Sequence, residues 1–539
     1  LLTANAYWRS SGSKEDPSGF LTPRPAIQEE IGHALTGTAY QVYGAYYWSK
    51  NDTVYIVASD GSTAKLWRAS NSKSSSLTSV QALAAITEKR VGWAEWSYAG
   101  NTYLVLCTGA EAWYITTAHS ATKISDGDFP ATHIPTPVVM DGYLFIAEAA
   151  SNKIYNSAVT DLTTWQASTY IAAEGDAGVI RALGLHKNHV VAFKENSIEF
   201  FKNAAIPSPN SPLMRVAEKY QQVGLLHHQS FAQAGDEIYF VGRSSLRTRA
   251  YLYRMRDFTA EPASQRGLNQ WIKEIYAPRA ITGTTDATLN VGSLDDQTFI
   301  FLAPYGASAT NSYAVAYHIE ENKAYVWGAA VYTNSSLTVP DHSCMNMLQT
   351  FQTSAFDSSS LSLGFVPART YIDPDSATRP PWCFFDSALH ADLYQTQGGT
   401  VTYQPLWVEI LTRPPQTGSM TYPAIVRRVS LDIVPVDNSQ VAATAAESKV
   451  YLTTSQPGAS SIFSQAFSMY DATGQAYYNP TWWSVGRYHD MFAKFYWTVG
   501  GIPATGSTFD AGVNTRMTAR AISFDMTILG QSARGASAT

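Results

Sequence analysis

The 539-residue chain has little charge: 15% of its residues are Asp, Glu, Lys or Arg, against about 25% in an average soluble domain. Its 37 basic and 43 acidic residues leave a net −6. The basic balance of a sequence-reading nucleic-acid binder is therefore missing. Cysteine is scarce as well. Cys107, Cys344 and Cys383 have no related spacing, which argues against a disulfide framework or a thiolate zinc site and fits a reducing compartment. Apolar runs such as Val105–Cys107 and Ile300–Leu302 are short, far from the ~18–20 residues that cross a bilayer as a helix. No basic segment leading into an apolar stretch opens the chain, so no signal peptide is expected. Helical periodicity is confined to Gln81–Arg90 and Leu213–Gln222.

What is present is core-forming and strand-forming material. Hydrophobic residues make up 45% of the chain and aromatic residues 13%, enough to offset the ordering entropy of a folded state. Short runs of Tyr, Val, Ile, Phe and Thr are bounded by Gly, Asn, Asp and Ser, which makes the fold class all-β.

A recurrence organises these strands. A polar turn pair followed by a hydrophobic strand begins at positions 51, 100, 141, 187, 235 and 295, at intervals of 49, 41, 46, 48 and 60. Each is followed by a further turn and strand, as at Glu195-Asn196 before Ser197–Lys202. A repeat of ~40–50 residues made of consecutive hairpins is the signature of a propeller blade. About six blades are expected, with a weaker seventh unit around Ser358–Phe365. An array of β-sandwiches, whose turn signals recur every ~8–12 residues, is the competing arrangement. After residue 366 prolines crowd the chain and long alternating strands follow, such as Val429–Ile433 and Ala521–Ile528. The expected division is an arm at 1–37, a propeller at 38–365 and a second antiparallel β-domain at 366–539.

Catalytic motifs are missing: there is no G-x-S-x-G, H-E-x-x-H or P-loop. No cofactor or metal is expected. His227 and His228 are adjacent, so on a strand they would point to opposite faces. Asp126-Gly127-Asp128 and Asp373-Pro374-Asp375 are expected to be hydrogen-bonded turns rather than Ca²⁺ sites. Trp93, Trp96, Trp113 and Trp165 fit blade interfaces better than sugar stacking. One enzymatic alternative stays open, a carbohydrate-binding or glycoside-hydrolysing propeller with two carboxylates facing each other across its axis. The one basic cluster is Arg243, Arg247, Arg249, Arg254 and Arg256. It is a candidate for DNA phosphates, with a solvated strand or ion pairs between subunits as the alternatives.

Three segments carry a resemblance. They are Asn5-Ala6-Tyr7-Trp8 with Ser18–Pro25, then Leu185–Phe201 ending in Ser-Ile-Glu-Phe-Phe, then Val241-Gly242-Arg243-Ser244. Gly486–Tyr488 and Ile522–Ile528 follow in order. Together they resemble the tail nozzle, or packaged-DNA stabilisation, proteins of short-tailed phages, with Arg24 where that family usually has Gly. The resemblance implies a non-enzymatic virion protein of the tail, assembled in the host cytoplasm. It would be a propeller with an added β-domain built from both chain ends, forming a homo-oligomeric, hexameric ring below the portal and adaptor. That ring would retain duplex DNA and pass it without sequence specificity, with tail fibres or spikes attached outside.

Overall fold

The computed structural model describes residues 2–4, 6–9, 20–23, 26–29, 39–59, 63–70, 77–84, 86, 90–244, 250–263, 268, 272, 286–294, 297–305, 313–328, 331–333, 336–338, 347–353, 362–367, 370–372, 383–386, 391–395, 401–412, 424–435, 449–455, 463–468, 479–488, 492–499 and 517–528. Their regular structure is almost entirely strand. Blade 1 begins with Ala39–Trp48 and Thr53–Ser59, blade 2 with Gly92–Tyr98 and Asn101–Cys107, and blade 3 with Val138–Met140 and Tyr143–Ala147. Blade 4 begins with Ile180–His186 and His189–Lys194, blade 5 with Phe231–Ala234 and Glu237–Ser244, and blade 6 with Asp286–Leu294 and Gln297–Tyr305. Each continues antiparallel into two further strands.

The recurring turn pairs are the hairpins between the first and second strands. Met140 pairs with Tyr143, His186 with His189, and Ala234 with Glu237, so two residues make each turn. Asp141 and Gly142, and likewise Lys187 and Asn188, adopt positive φ. Two residues of that hand match the twist of the flanking strands. The second strand of each blade lies between neighbouring blades and is buried on both faces. Tyr143–Ala147 and His189–Lys194 accordingly read as near-continuous apolar runs.

The weak seventh unit is a full blade. Met347–Thr353 pairs with Ser362–Pro367, which pairs with Cys383–Asp386, and the outermost strand is Ala26–Glu29 from the start of the chain. Blade 7 thus draws strands from both sides of the 38–365 span. It closes the ring through side chains: Gln349 accepts from the Ala45 N–H of blade 1 at 3.2 Å, and Thr350 donates to the Val291 carbonyl of blade 6 at 2.6 Å. The core is a series of apolar layers between successive blades, for example Trp48, Tyr55, Leu104 and Leu106 between blades 1 and 2. Phe299, Phe301, Leu363 and Phe385 fill the layer between blades 6 and 7.

Some layers close until backbone meets backbone. A Cβ added at Gly92 would lie 1.9 Å from the Pro135 carbonyl oxygen in the lead-in to blade 3. Gly92→Ala is expected to destabilise the propeller by about 1–3 kcal/mol, the usual cost of overpacking, measured by thermal or denaturant unfolding. A loss under about 0.5 kcal/mol would show that the two blades separate easily.

The second domain is built from both ends of the chain, as expected. One sheet runs Ala6–Arg9, Phe20–Pro23, Met517–Ile528, Ala424–Pro435, Thr481–Tyr488, all antiparallel. The other contains Phe463–Ser468, Lys449–Ser455, Phe492–Val499 and Val401–Thr412. Buried Trp482 joins the sheets, with ring centroids 6.2 Å from Phe467 and 5.7 Å from Phe495. Leu2–Ala4 pairs with Val401–Thr412 on one side and with Lys323–Gly328 of blade 6 on the other. Hydrogen bonding therefore runs unbroken from the domain into the propeller.

The described residues of the two segments with helical spacing form no α-helix. Leu213–Arg215 pairs as a strand with Phe201–Asn203, and only Ala217–Lys219 forms a 3₁₀ turn. Gln81–Leu83 ends the last strand of blade 1. Short apolar spacings of three or four satisfy a strand edge followed by a turn as well as one helical turn.

Candidate functional site

Of the five clustered arginines, Arg247 and Arg249 lie outside the described residues. The other three belong to blade 5 and each meets a carboxylate of the same chain. Arg243 Nη2 donates to Glu195 Oε1 at 2.6 Å, reaching the 193–198 hairpin of blade 4, while Arg254 pairs with Glu261 and Arg256 Nε lies 2.8 Å from Glu237 Oε1. Arg254 and Arg256 alternate with Tyr253 and Met255, which enter the layer against blade 4. The arginines thus form the polar face of a half-buried strand.

The first strands of six blades, and the Pro135–Pro137 lead-in to blade 3, converge on an axial cavity of about 260 Å³. Its wall includes Tyr46, Arg90, Trp93, Thr136, His228 and Gln349. No carboxylate is among the described residues of this wall.

Arg90 Nη1 donates to the Gln229 carbonyl at 3.5 Å. Burial lowers its pKa to about 10. His227 and His228 occupy the turn before Phe231–Ala234, and their rings lie 4.1 Å apart instead of on opposite faces. A turn lacks the alternation of a strand, which accounts for the difference. Burial, followed by the charges of His227, Arg90 and Arg181, keeps His228 well below the usual imidazole pKa. Among the described residues, no three His, Cys, Asp or Glu side chains converge as a metal site.

A buried ionic cluster in blade 4 is the feature that strand patterning missed. Lys194 and Glu199 are both shielded from solvent. Lys194 Nζ donates to the carbonyls of Ala173, at 2.8 Å, and Asp176, and to Glu199 Oε1 at 3.4 Å. Glu199 also accepts the Gly175 N–H at 3.0 Å, and its Oε2 lies 2.8 Å from Arg215 Nε. The cluster binds the 173–176 segment, which leads from blade 3, onto blade 4. Glu199 lies in the Ser-Ile-Glu-Phe-Phe stretch, where strand alternation puts it on the face opposite Ile198 and Phe200. The available signal was a carboxylate and an ammonium five residues apart within two otherwise apolar strands.

A second buried carboxylate performs a similar task between blades 1 and 2. Glu111 accepts from Lys123 at 2.6 Å and from the Ala84 N–H at 3.0 Å. Burial pushes its carboxyl up, but Lys123, Ala84 and Trp113 outweigh burial and hold it below the usual range. Asp126 forms the expected turn, accepting from Asp128 N and Trp165 N. Asp373-Pro374-Asp375 lies outside the described residues. Trp96 and Trp165 are buried and donate to the Gly142 and Leu162 carbonyls, so neither offers an open face to a sugar.

Comparison with known families decides the relationship. Residues 9–349 match the model of the phage stabilisation family described as bacteriophage P22 Gp10, β-propeller. The chain belongs to this family. The P22 Gp10-type propeller assigned by the match is the blade series seen here, and the chain is accordingly of the phage structural class. No curated protein matches the chain by sequence. Among solved structures, a catalytically inactive virginiamycin B lyase from Staphylococcus aureus is 11% identical, covering 66% of this chain and 97% of its own, with a TM-score of 0.39. The extracellular domain of a hybrid two-component system from B. thetaiotaomicron is 9% identical, covering 75% of this chain and 42% of its own, at a TM-score of 0.39. Nothing of their activities is carried over to this P22 Gp10-type chain.

Proposed function

We propose that the protein is a tail nozzle component of a short-tailed phage. Six chains would form a ring that retains packaged DNA, passes it at ejection, and joins an adaptor ring to tail fibres or spikes. Membership of the P22 Gp10 family over 9–349 carries this reading. Its non-enzymatic character is supported by an axial cavity whose described wall has no carboxylate. Composition supports the conduit: six chains at −6 each would carry −36, and a wall poor in Lys and Arg gives DNA few counterion-releasing contacts to grip. The ion pairs of Arg243, Arg254 and Arg256 favour a role within the blade over a free phosphate-binding face.

Electron microscopy of the purified chain, or of particles containing it, is the test. A closed ring with a central opening wide enough for duplex DNA is expected. A compact monomer under all assembly conditions, absent from the tail, would overturn the proposal.

A further inference from the structure

We propose that the axial cavity of the propeller is a binding site for a small oxyanion of the phosphate class. Three side chains on its wall have donors left over that meet no acceptor among the described residues. Arg90 carries five N–H donors in a planar fork, and its one hydrogen bond is at the 3.5 Å limit. Thr136 accepts the Leu183 N–H at 2.9 Å, which leaves its hydroxyl proton to donate. Gln349 Oε1 accepts the Ala45 N–H, which fixes the amide orientation and leaves its NH₂ group to donate.

The electrostatics favour the same ligand. A half-buried cation with no carboxylate beside it among the described residues is costly to hold, and burial is what lowers the proton affinity of Arg90. The nearby Arg181 shares Glu195 at 3.6 Å with Arg243 and adds further positive potential, felt at His228. A wall rich in donors and without carboxylates complements a multiply charged acceptor. The volume of about 260 Å³ holds a tetrahedral ion with several waters, each occupying about 30 Å³, and excludes a duplex. The ligand is therefore a free ion, and the site is separate from any DNA conduit formed by a ring.

The experiment is calorimetric titration of the full-length chain with inorganic phosphate and with sulfate, against chloride at constant ionic strength. Saturable binding of one phosphate or sulfate per chain is expected. Arg90→Gln should weaken it roughly 10- to 100-fold, the effect of losing a charge-assisted hydrogen bond, with Arg90→Lys in between. No saturable heat, or equal affinity in a folded Arg90→Gln protein, overturns the site. If Arg90→Gln does not fold, Val291→Phe narrows the cavity without touching Arg90, and undiminished binding there overturns the site as well. The titration needs neither ring nor DNA, so its outcome is independent of the nozzle proposal.

Discussion

Replacing Glu199 by leucine is expected to destabilise the propeller by about 3–5 kcal/mol, the cost of leaving a buried partner charge uncompensated. Without Glu199, the ammonium of Lys194 remains fully buried with only the carbonyls of Ala173 and Asp176. The Gly175 N–H loses its acceptor as well. Arg215 is less affected, because its side chain is 34% exposed and can turn to water. A second substitution separates charge from packing. Lys194→Met together with Glu199→Leu removes both buried charges and keeps most of the volume. Apolar replacement of a whole buried pair is often neutral or stabilising, so the double variant should be more stable than Glu199→Leu alone, despite having fewer native contacts. Denaturant unfolding of the three proteins, followed by tryptophan fluorescence, measures this. A double variant that is the weaker of the two would mean that the ion pair itself, rather than the orphaned charge, carries the energy.

This cluster also shows what strand patterning can and cannot convey. Alternation in Ser197–Phe201 assigns Glu199 to one face correctly, but in a propeller both faces of an inner strand are covered by neighbouring blades. A polar residue opposite an apolar one is therefore no sign of solvent. The charge is buried because a segment arriving from blade 3 lies over it, and contact at that distance leaves no trace in local periodicity. Gly175 is the closest thing to a marker. A Cβ there would lie 2.0 Å from Arg215 Nη2 and 2.9 Å from the Glu199 carboxyl carbon, yet its spacing from Glu199 follows no motif.

Blade count follows the same logic. The repeat was legible wherever a two-residue turn forced polar residues or left-handed backbone, as at Asp141-Gly142 and Lys187-Asn188. Blade 7 has no such turn. Thr353 pairs with Ser362, so eight residues separate its first two strands, and its last strand comes from Ala26–Glu29. The turn signal vanished because the turn chemistry changed, while the strand chemistry stayed the same. The axial cavity was even less visible. Arg90, Thr136 and Gln349 come from blades 2, 3 and 7, and only ring closure brings them to one wall.

The second large effect concerns acid. Stability is expected to fall as the pH drops from about 6.5 towards 4, before most carboxylates titrate. His133 accounts for much of this change. Burial lowers its pKa to about 4, against weak upward pulls from the Pro130 and Glu111 carbonyls. Its Nδ1 faces the Pro130 carbonyl at 3.4 Å, and its buried Nε2 has no hydrogen-bond partner. Protonation would thus place a charge in a buried setting where the Pro130 and Glu111 carbonyls are too weak to offset the loss of water. The folded state prefers the neutral ring while the unfolded chain binds a proton near 6.5, so the contribution is complete above that pH and declines below it. At about 1.4 kcal/mol per unit, the full loss is about 3 kcal/mol. Burial also lowers the pKa of His186, His228 and His318, which adds to the decline with the same sign. Glu111, held below the usual range by Lys123, Ala84 and Trp113 against burial, keeps its contribution above the unfolded carboxyl pKa and loses it only at lower pH. Unfolding free energy measured from pH 7.5 to 4, in wild type and in His133→Phe, isolates the histidine. The variant should lose close to one proton's worth of slope in that window. An unchanged slope would mean that His133 titrates normally and that the loop carrying it opens to water.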